Sequence, residues 1–323
     1  MQFSKILIVI VISILFIAGC LQQVQNKNNS QTNQNIKEET IDRESKIPSD
    51  VIKVIPKTDI NPPKSHSNEY EDPVPLSNVI NTAGAEDSAF IMPDGKELYF
   101  FFTPDVRIPV EKQIIDGVTG IYVAKKINNA WMKPERIILQ DKGRISGDGC
   151  EFVQNNIMWF CSVREGYTGV HWFTAEYKDN KWKNWENADF NLNYKVGELH
   201  FTKNWNEVYF HSDRDSGKGE LDIWTSKKVN GEWQEPINLE EVNSETNEGW
   251  PALSPDETEL WISKNYGLWK SKKTNDKWST PELIISPLAG EATIDNEGNV
   301  YFTHHFYKNN KMIEAYIYVA KKK

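Results

Sequence analysis

Short runs in which apolar and polar residues alternate recur from Tyr70 to the end of the chain, and no stretch there shows the period of an amphipathic helix. Aromatic and β-branched residues, which favour strands, fill these runs, and turn sequences such as Pro93-Asp94-Gly95 separate them. The pattern therefore predicts that residues 70–323 form one all-β domain.

Four sequence signals repeat in the same order within this domain. A turn leads into an aromatic strand, as at Leu98-Tyr99-Phe100, and a later strand ends in small and basic residues, as at residues 121–126. A Trp-x-x-Pro motif and a segment containing Gly or Glu then lead into the next repeat. The aromatic strands begin near residues 98, 158, 208, 260 and 300, and spacings of about 40–60 residues are typical of propeller blades with variable loops.

These repeats predict a five-bladed β-propeller. Each copy corresponds to a four-stranded antiparallel sheet that cannot bury both faces alone, so the copies stack radially. The fifth copy ends after its third strand at Lys323. Residues 73–76 precede Glu86 much as residues 281–284 precede Glu291. We therefore expect the N-terminal strand to complete the last blade and close the ring, which removes an exposed sheet edge.

The third repeat also carries a family resemblance. Residues 211–224, which read His-Ser-Asp-Arg-Asp-Ser-Gly-Lys-Gly-Glu-Leu-Asp-Ile-Trp, and the following residues 230–239 resemble the WD-repeat-like β-propeller repeat of the TolB C-terminal domain. The resemblance is close over the third repeat, partial over the first, fourth and fifth, and poor over the second. It implies a propeller fold, but propellers serve many functions, so it does not imply one activity.

The first twenty residues have the pattern of a targeting segment. Lys5 precedes the apolar run Ile6 to Ile17, which spans about 18 Å as a helix and is too short for the roughly 30 Å membrane core. The run predicts a signal peptide over residues 1–19. Ile17-Ala18-Gly19-Cys20 resembles the lipobox of prokaryotic lipoproteins, which implies cleavage before Cys20 and a lipid such as palmitate on the mature N-terminus. The alternative is an ordinary secretory signal that ends in cysteine.

The composition of residues 20–69 predicts a disordered tether. The stretch from Leu21 to Glu69 contains no Phe, Tyr or Trp and is rich in Asn, Gln, Lys, Glu and Ser. Such a composition buries too little apolar surface to offset chain entropy. With the lipid on Cys20, we expect a membrane-anchored, extracytoplasmic lipoprotein of the cell envelope.

Composition and motifs exclude several functions. A formal net charge of −9 argues against nucleic acid as a partner, because phosphate binding depends on clustered Lys and Arg. Zinc-protease, serine-hydrolase and phosphate-loop motifs are all missing from the sequence. His304 and His305 adjoin, but neighbouring strand residues point to opposite faces and make a poor chelate. The sequence therefore predicts no cofactor and no metal site.

Acidic residues begin the inner strand of each predicted blade. The loops between second and third strands lie on the same face of the ring, which we call the loop face. We expect the ligand site there, with these candidate residues: Glu86, Asp87, Glu198, Arg214, Glu248, Trp250, Tyr266 and Glu291. The alternative is that acids repeated at strand starts are solvated or accept hydrogen bonds from backbone amides.

Three pairs of alternatives remain for individual residues. The Trp250 indole could stack on a ligand or pack in the core, and Arg214 could bind a carboxylate or form a local salt bridge. Cys150 and Cys161 are equidistant from Asn155-Asn156, a pair that suits a type I′ hairpin and would place the cysteines directly opposite. A cross-strand disulfide or two buried thiols would follow.

The function that these patterns favour is a binding module for a protein, peptide or glycan at the cell surface, with no catalytic residue assigned. One alternative is a glycoside hydrolase or polysaccharide lyase that uses carboxylates such as Glu86, Glu198, Glu248 and Glu291. A second alternative, implied by the TolB resemblance, is a non-catalytic lipoprotein of envelope assembly.

Overall fold

A computed structural model describes residues 41–51, 53–190 and 197–323. The predicted signal peptide and Cys20 lie outside these residues. Half of the described residues are in strands and 3% are in helices, the latter as a short 3₁₀ helix (Arg43–Lys46) and α1 (Val110–Gln113). Within the described ranges, no helix has the length and apolar content needed to cross a bilayer.

Five antiparallel sheets form the five blades of a β-propeller, as predicted. Two short strands come first in the chain, β1 (Lys64–Ser65) and β2 (Val74–Pro75). Blade 1 contains β3 (Ala85–Ile91), β4 (Glu97–Thr103), β5 (Gly120–Ile127), β6 (Ala130–Trp131) and β7 (Glu135–Arg136). Blade 2 contains β8 (Ser146–Gln154), β9 (Ile157–Arg164), β10 (His171–Lys178) and β11 (Lys181–Asn187).

The remaining blades follow the same order from the inner to the outer strand. Blade 3 contains β12 (Leu199–Phe201), β13 (Glu207–Ser212), β14 (Asp222–Val229), β15 (Glu232–Trp233) and β16 (Ile237–Asn238). Blade 4 contains β17 (Glu248–Leu253), β18 (Glu259–Lys264), β19 (Gly267–Thr274), β20 (Lys277–Trp278) and β21 (Glu282–Ser286). Blade 5 contains β22 (Ala289–Ile294), β23 (Val300–Lys308) and β24 (Lys311–Ala320).

The N-terminal strand closes the ring, which confirms the prediction. Strand β2 pairs antiparallel with β24, with Val74 opposite Val319 and Pro75 opposite Tyr318. Pro75 is tolerated because β2 is an outer edge strand. The Asn81 side chain reinforces the junction, since its Oδ1 accepts from the Ile317 N–H at 2.9 Å and its Nδ2 donates to the Ile317 carbonyl at 2.9 Å.

A β-bulge recurs in the inner strands of blades 1, 2, 4 and 5. In each, two residues oppose one on the second strand. The first residue of each bulge has a positive φ between 52° and 59°; these residues are Ser88, Cys150, Trp250 and Glu291. The bulge turns the following side chains relative to a regular strand, and it lies near the middle of each inner strand.

The described part of the predicted tether, residues 41–51 and 53–69, differs from the disorder that its composition predicts. It lies on the propeller as a segment that we call the strap. Arg43 is 3% exposed and pairs with Glu86, and its guanidinium lies 4.9 Å from the Phe102 ring centroid. Further along, the Val54 N–H donates to Glu314 Oε2, and β1 pairs with β21 at the outer edge of blade 4.

Polar contacts therefore order the strap where apolar burial would not. A buried ion pair, a cation–π contact and backbone hydrogen bonds need no aromatic residue in the strap itself. Composition alone does not reveal such contacts, because their partners lie between 43 and 260 residues away in sequence.

Aromatic side chains fill the space between blades. One cluster joins the first three blades and includes Phe90, Phe152 and Phe201, whose rings contact in sequence at centroid distances of 5.4 and 5.7 Å. Trp172 and Trp261 are almost fully buried in such clusters. The repeated aromatic strands of the sequence thus become blade-to-blade packing.

Replacement of Asn81 by alanine tests the closure. The variant leaves the buried Ile317 N–H without its acceptor, which costs about 1–3 kcal/mol. We expect the free energy of unfolding, measured by urea denaturation, to fall by that amount. Asn78→Ala is the control, because Asn78 is exposed and its loss should change stability by less than about 0.5 kcal/mol. Equal stabilities of the two variants would contradict a role of Asn81 in closure.

Candidate functional site

The acidic residues predicted to share one rim separate into two groups with different environments. Glu86 and Glu248 are fully buried and each pairs with a basic side chain, Arg43 at 3.1 Å and Lys264 at 2.9 Å. Asp148, the corresponding acid of blade 2, pairs with Arg164 at 2.9 Å. These three carboxylates stand one or two residues before the bulge.

The same carboxylates also hold the chain that leads into their blades. Glu86 accepts from the N–H and Oγ1 of Thr82, and Glu248 accepts from the N–H and Oγ of Ser244, four residues earlier in each case. Burial raises the pKa of Glu86 to about 8 even though Arg43 opposes that shift. For Glu86 and Glu248 the structural alternative therefore holds, and neither is a free ligand-binding group.

A second group of acids lies at the loop-face end of the central channel. Asp87 and Glu291 approach each other from blades 1 and 5, and the Ser88 N–H donates to both, to Asp87 Oδ1 at 3.0 Å and to Glu291 Oε2 at 2.8 Å. His305 Nε2 lies 3.1 Å from Asp87 Oδ1. Glu198 of blade 3 lines a cavity of about 40 Å³ together with Glu291.

Glu151 belongs to this second group although the sequence did not single it out. It is 6% exposed and lines the same cavity, and among the described residues neither of its carboxylate oxygens has a hydrogen-bond partner. It follows Cys150 in the bulge of blade 2. In the sequence, Glu151 stands two residues after Gly149. Its position in the channel depends on the bulge, which the sequence does not reveal.

Burial dominates the electrostatics of this channel. It raises the pKa of Glu198 to about 7 and holds the pKa values of Glu151 and Glu291 well above their ordinary range. Burial also opposes the charge of Asp87, but His305 and the hydrogen bond to Glu291 outweigh it and lower the pKa of Asp87. Burial therefore disfavours charge on Glu151, Glu198 and Glu291 as long as no positive group lies beside them, whereas His305 favours the charged form of Asp87.

Trp250 is core rather than an exposed stacking platform. It is 8% exposed, its ring lies 5.3 Å from the His211 ring, and its backbone N–H donates to His211 Nδ1 at 3.1 Å. The His211 ring packs closely against the backbone of Gly197, where an added Cβ would lie 2.0 Å from His211 Nε2. His211 Nδ1 lies 3.9 Å from Glu198 Oε2. Trp250 thus shapes the channel wall.

The other two candidates lie farther out on the loop face. The Arg214 guanidinium lies over the Phe210 and Trp224 rings at 5.4 and 5.9 Å. Tyr266 is 39% exposed in the β18–β19 turn, and its ring meets that of Tyr307 edge-on at 6.2 Å. The structure brings neither into hydrogen-bond contact with the channel carboxylates in the described parts of the chain.

Cys150 and Cys161 do not oppose each other as predicted. Asn155 and Asn156 both have positive φ and form the expected hairpin turn, but the bulge shifts the register so that Cys161 pairs with Gly149. Both cysteines are free thiols in the structure. The prediction of direct pairing was wrong because counting from the turn assumed a regular ladder.

His305 is the second residue that sequence reasoning missed. Alternation on β23 sends His304 to Asp59 of the strap at 3.0 Å and His305 to Asp87. The prediction that the two histidine side chains point to opposite faces was correct, but the sequence did not reveal the hydrogen-bond partner of either one.

A larger cavity lies at the opposite end of the channel from the loop face. It measures about 330 Å³ and is mostly apolar, with Phe152, Phe201 and Leu253 in its wall. Its volume reaches the lower end of the range for small-molecule pockets, about 300–1,000 Å³, whereas the cavity among the carboxylates does not.

Comparisons with known proteins return propellers of several kinds. No protein-family model and no curated protein sequence matches the chain. A putative TolB from Agrobacterium tumefaciens is 14% identical, with 70% of this chain and 72% of that chain covered and a TM-score of 0.40.

Two enzymes are among the other similar structures. An α-L-arabinofuranosidase from Lactobacillus brevis is 12% identical, with 76% of this chain and 92% of that chain covered and a TM-score of 0.43. A gluconolactonase from Xanthomonas campestris is 8% identical, with 81% of this chain and 95% of that chain covered and a TM-score of 0.45. Likenesses at this level do not assign an activity.

Replacement of Glu248 by alanine tests the structural role of the first group of acids. The variant leaves Lys264 unpaired and removes the acceptor of the Ser244 N–H, and breaking a buried pair costs about 3–5 kcal/mol. We expect a loss of about 3 kcal/mol in the free energy of unfolding, measured by urea denaturation. Glu245→Ala, at an exposed position three residues earlier, is the matched control. A Glu248 variant as stable as this control would contradict the structural role.

Proposed function

We propose that the protein is a lipid-anchored, extracytoplasmic β-propeller that binds a protein, peptide or glycan partner on its loop face. Its repeats, on this proposal, belong to the WD-repeat-like family that the third blade resembles.

The observation that carries the binding function is a set of exposed apolar side chains on the loop face. Ile115, Ile145 and Tyr167 are 62%, 46% and 38% exposed and belong to loops of the neighbouring blades 1 and 2. Exposed apolar groups on adjacent loops of a rigid scaffold suit contact with a partner. Tyr266 adds a fourth such side chain on blade 4.

The geometry supports a carbohydrate-active enzyme less well. A glycosidase needs two carboxyl groups about 5–10 Å apart that face a bound sugar. Two of its four candidate acids, Glu86 and Glu248, are held in buried ion pairs. The cavity that Glu198 and Glu291 line measures about 40 Å³, far below the size of ligand pockets. The envelope-assembly alternative rests on the TolB resemblance alone.

The lipid anchor is tested by substitution of Cys20. In a bacterial host fed with an alkyne analogue of palmitate, the wild-type chain should carry the label and sediment with membranes. Cys20→Ser should lose the label and release the protein, because the lipid supplies the membrane affinity. Cys150→Ser, which keeps Cys20, is the control. A labelled, membrane-bound Cys20 variant would contradict the lipoprotein assignment.

The binding surface is tested with glycan and peptide arrays probed with the purified chain. For any hit, the double variant Ile115→Ser/Tyr167→Ser should bind at least about tenfold more weakly, since exposed anchors at an interface carry much of the binding energy. Ile127→Ser is the matched control, because Ile127 is 54% exposed at the opposite face. Equal losses in the two variants, or no hit on either array, would contradict the proposal.

A further inference from the structure

The axis of the propeller holds an unusual combination of metal-ligating atoms. Asp87, Glu291 and His305 each offer one ligand atom, and these atoms all lie within 4.8 Å of one another. Two ligands on opposite sides of an ion with bonds of about 2.1 Å are separated by about 4.2 Å. The limit of 4.8 Å is close to this separation, so small movements of the side chains would bring all three ligand atoms around a single ion.

The backbone positions two of these ligands. The Ser88 N–H donates to one oxygen of each carboxylate, and the Glu291 N–H in turn donates to Ser263 Oγ at 2.8 Å. Ser88 and Glu291 are themselves the first residues of their bulges. The site is thus built from inner-strand bulges of two blades that meet across the ring closure.

A second, independent observation points to a cation. Glu151 is buried on the same cavity, and neither of its oxygens has a partner among the described residues. Glu198 Oε2 on that cavity likewise has no hydrogen-bond partner among the described residues, and its nearest basic atom is His211 Nδ1 at 3.9 Å. A buried carboxylate without a partner is costly, and a metal ion is one of the few groups that would offset the cost.

The charge balance of the two groups of acids supports the same conclusion. Glu86, Asp148 and Glu248 each have an Arg or Lys partner. For Asp87, Glu151, Glu198 and Glu291 the described chain provides no ion pair with Arg or Lys, and histidines are the basic groups near them. Every acid of the first group therefore has a positively charged Arg or Lys partner. Among the described residues, the acids at the axis have none.

We propose that the central channel binds one divalent metal ion through Asp87, Glu291 and His305, with the carboxylate of Glu151 facing the same cavity. One imidazole with carboxylates suits Mn²⁺ or Zn²⁺ better than Ca²⁺, which prefers all-oxygen sites. The ion joins blade 1 to blade 5 and so adds to the stability of the closed ring. This proposal does not depend on the binding function of the loop face.

Calorimetry on the full-length chain, prepared without a histidine tag and stripped with EDTA, tests the site with Mn²⁺, Zn²⁺ and Ca²⁺ in separate titrations. We expect about one equivalent of Mn²⁺ or Zn²⁺ to bind and to raise the melting temperature, because a ligand that binds the folded state stabilises it. Asp87→Asn and Glu291→Gln should each weaken this binding by more than about tenfold.

Two further variants keep the test decisive if those proteins fold poorly. Glu151→Gln removes a buried, unpartnered acid, so it should fold at least as well as the wild type and still bind the metal more weakly. His66→Gln, at an exposed histidine, should bind as the wild type does. Absence of one-equivalent binding by Mn²⁺ and Zn²⁺, preference for Ca²⁺, or equal affinity in the Glu151 and His66 variants would overturn the proposal.

Discussion

Pairing of β2 with β24 is the constraint on which the rest of the molecule depends. Blade 5 has three strands of its own, and the fourth comes from the other end of the chain. Until that strand is in place, β24 has an unpaired edge, and blades 1 and 5 are joined only by contacts between their faces, such as the hydrogen bond from the Ile91 N–H to Thr293 Oγ1. The channel groups Asp87 and Glu291 come from these two blades, so their contact exists only in the closed ring.

Within the closed ring, the inner-strand bulge decides what each acidic residue does. Acids two residues before the bulge, such as Glu86 and Glu248, pair with basic side chains and hold the preceding loop. Acids directly before the bulge or within it, such as Asp87 and Glu291, reach the axis and lie beside other acids. A displacement of one or two residues along a strand thus separates a structural ion pair from a group that is available to a ligand.

Repetition made the fold predictable, because five weak copies of one pattern support each other. The turn at Asn155-Asn156 was also predictable, and both residues have the positive φ of a type I′ hairpin. The site was less predictable. The direct pairing of Cys150 with Cys161 was wrong and Glu151 was missed because a bulge changes register without an obvious sequence signal, and His305 was missed because its partner Asp87 lies 218 residues away in sequence.

The strap was missed for a different reason. Its polar composition predicts disorder as long as hydrophobic burial is the expected source of order. Arg43 is instead held by hydrogen bonds to a carboxylate and two backbone carbonyls and by cation–π contacts with three aromatic rings of the propeller. Such partners are distant in sequence and can be found only once the fold is known.

Amide hydrogen exchange on the intact chain tests ring closure most directly. The Leu76 N–H donates to the Ile317 carbonyl at 2.9 Å, at the junction between the first and last strands. If β2 completes blade 5, the amides of residues 74 and 76 exchange as slowly as those of β23 and lose protection together with them under rising denaturant. Rapid exchange at residues 74 and 76 while β23 stays protected would show an open ring and contradict the account.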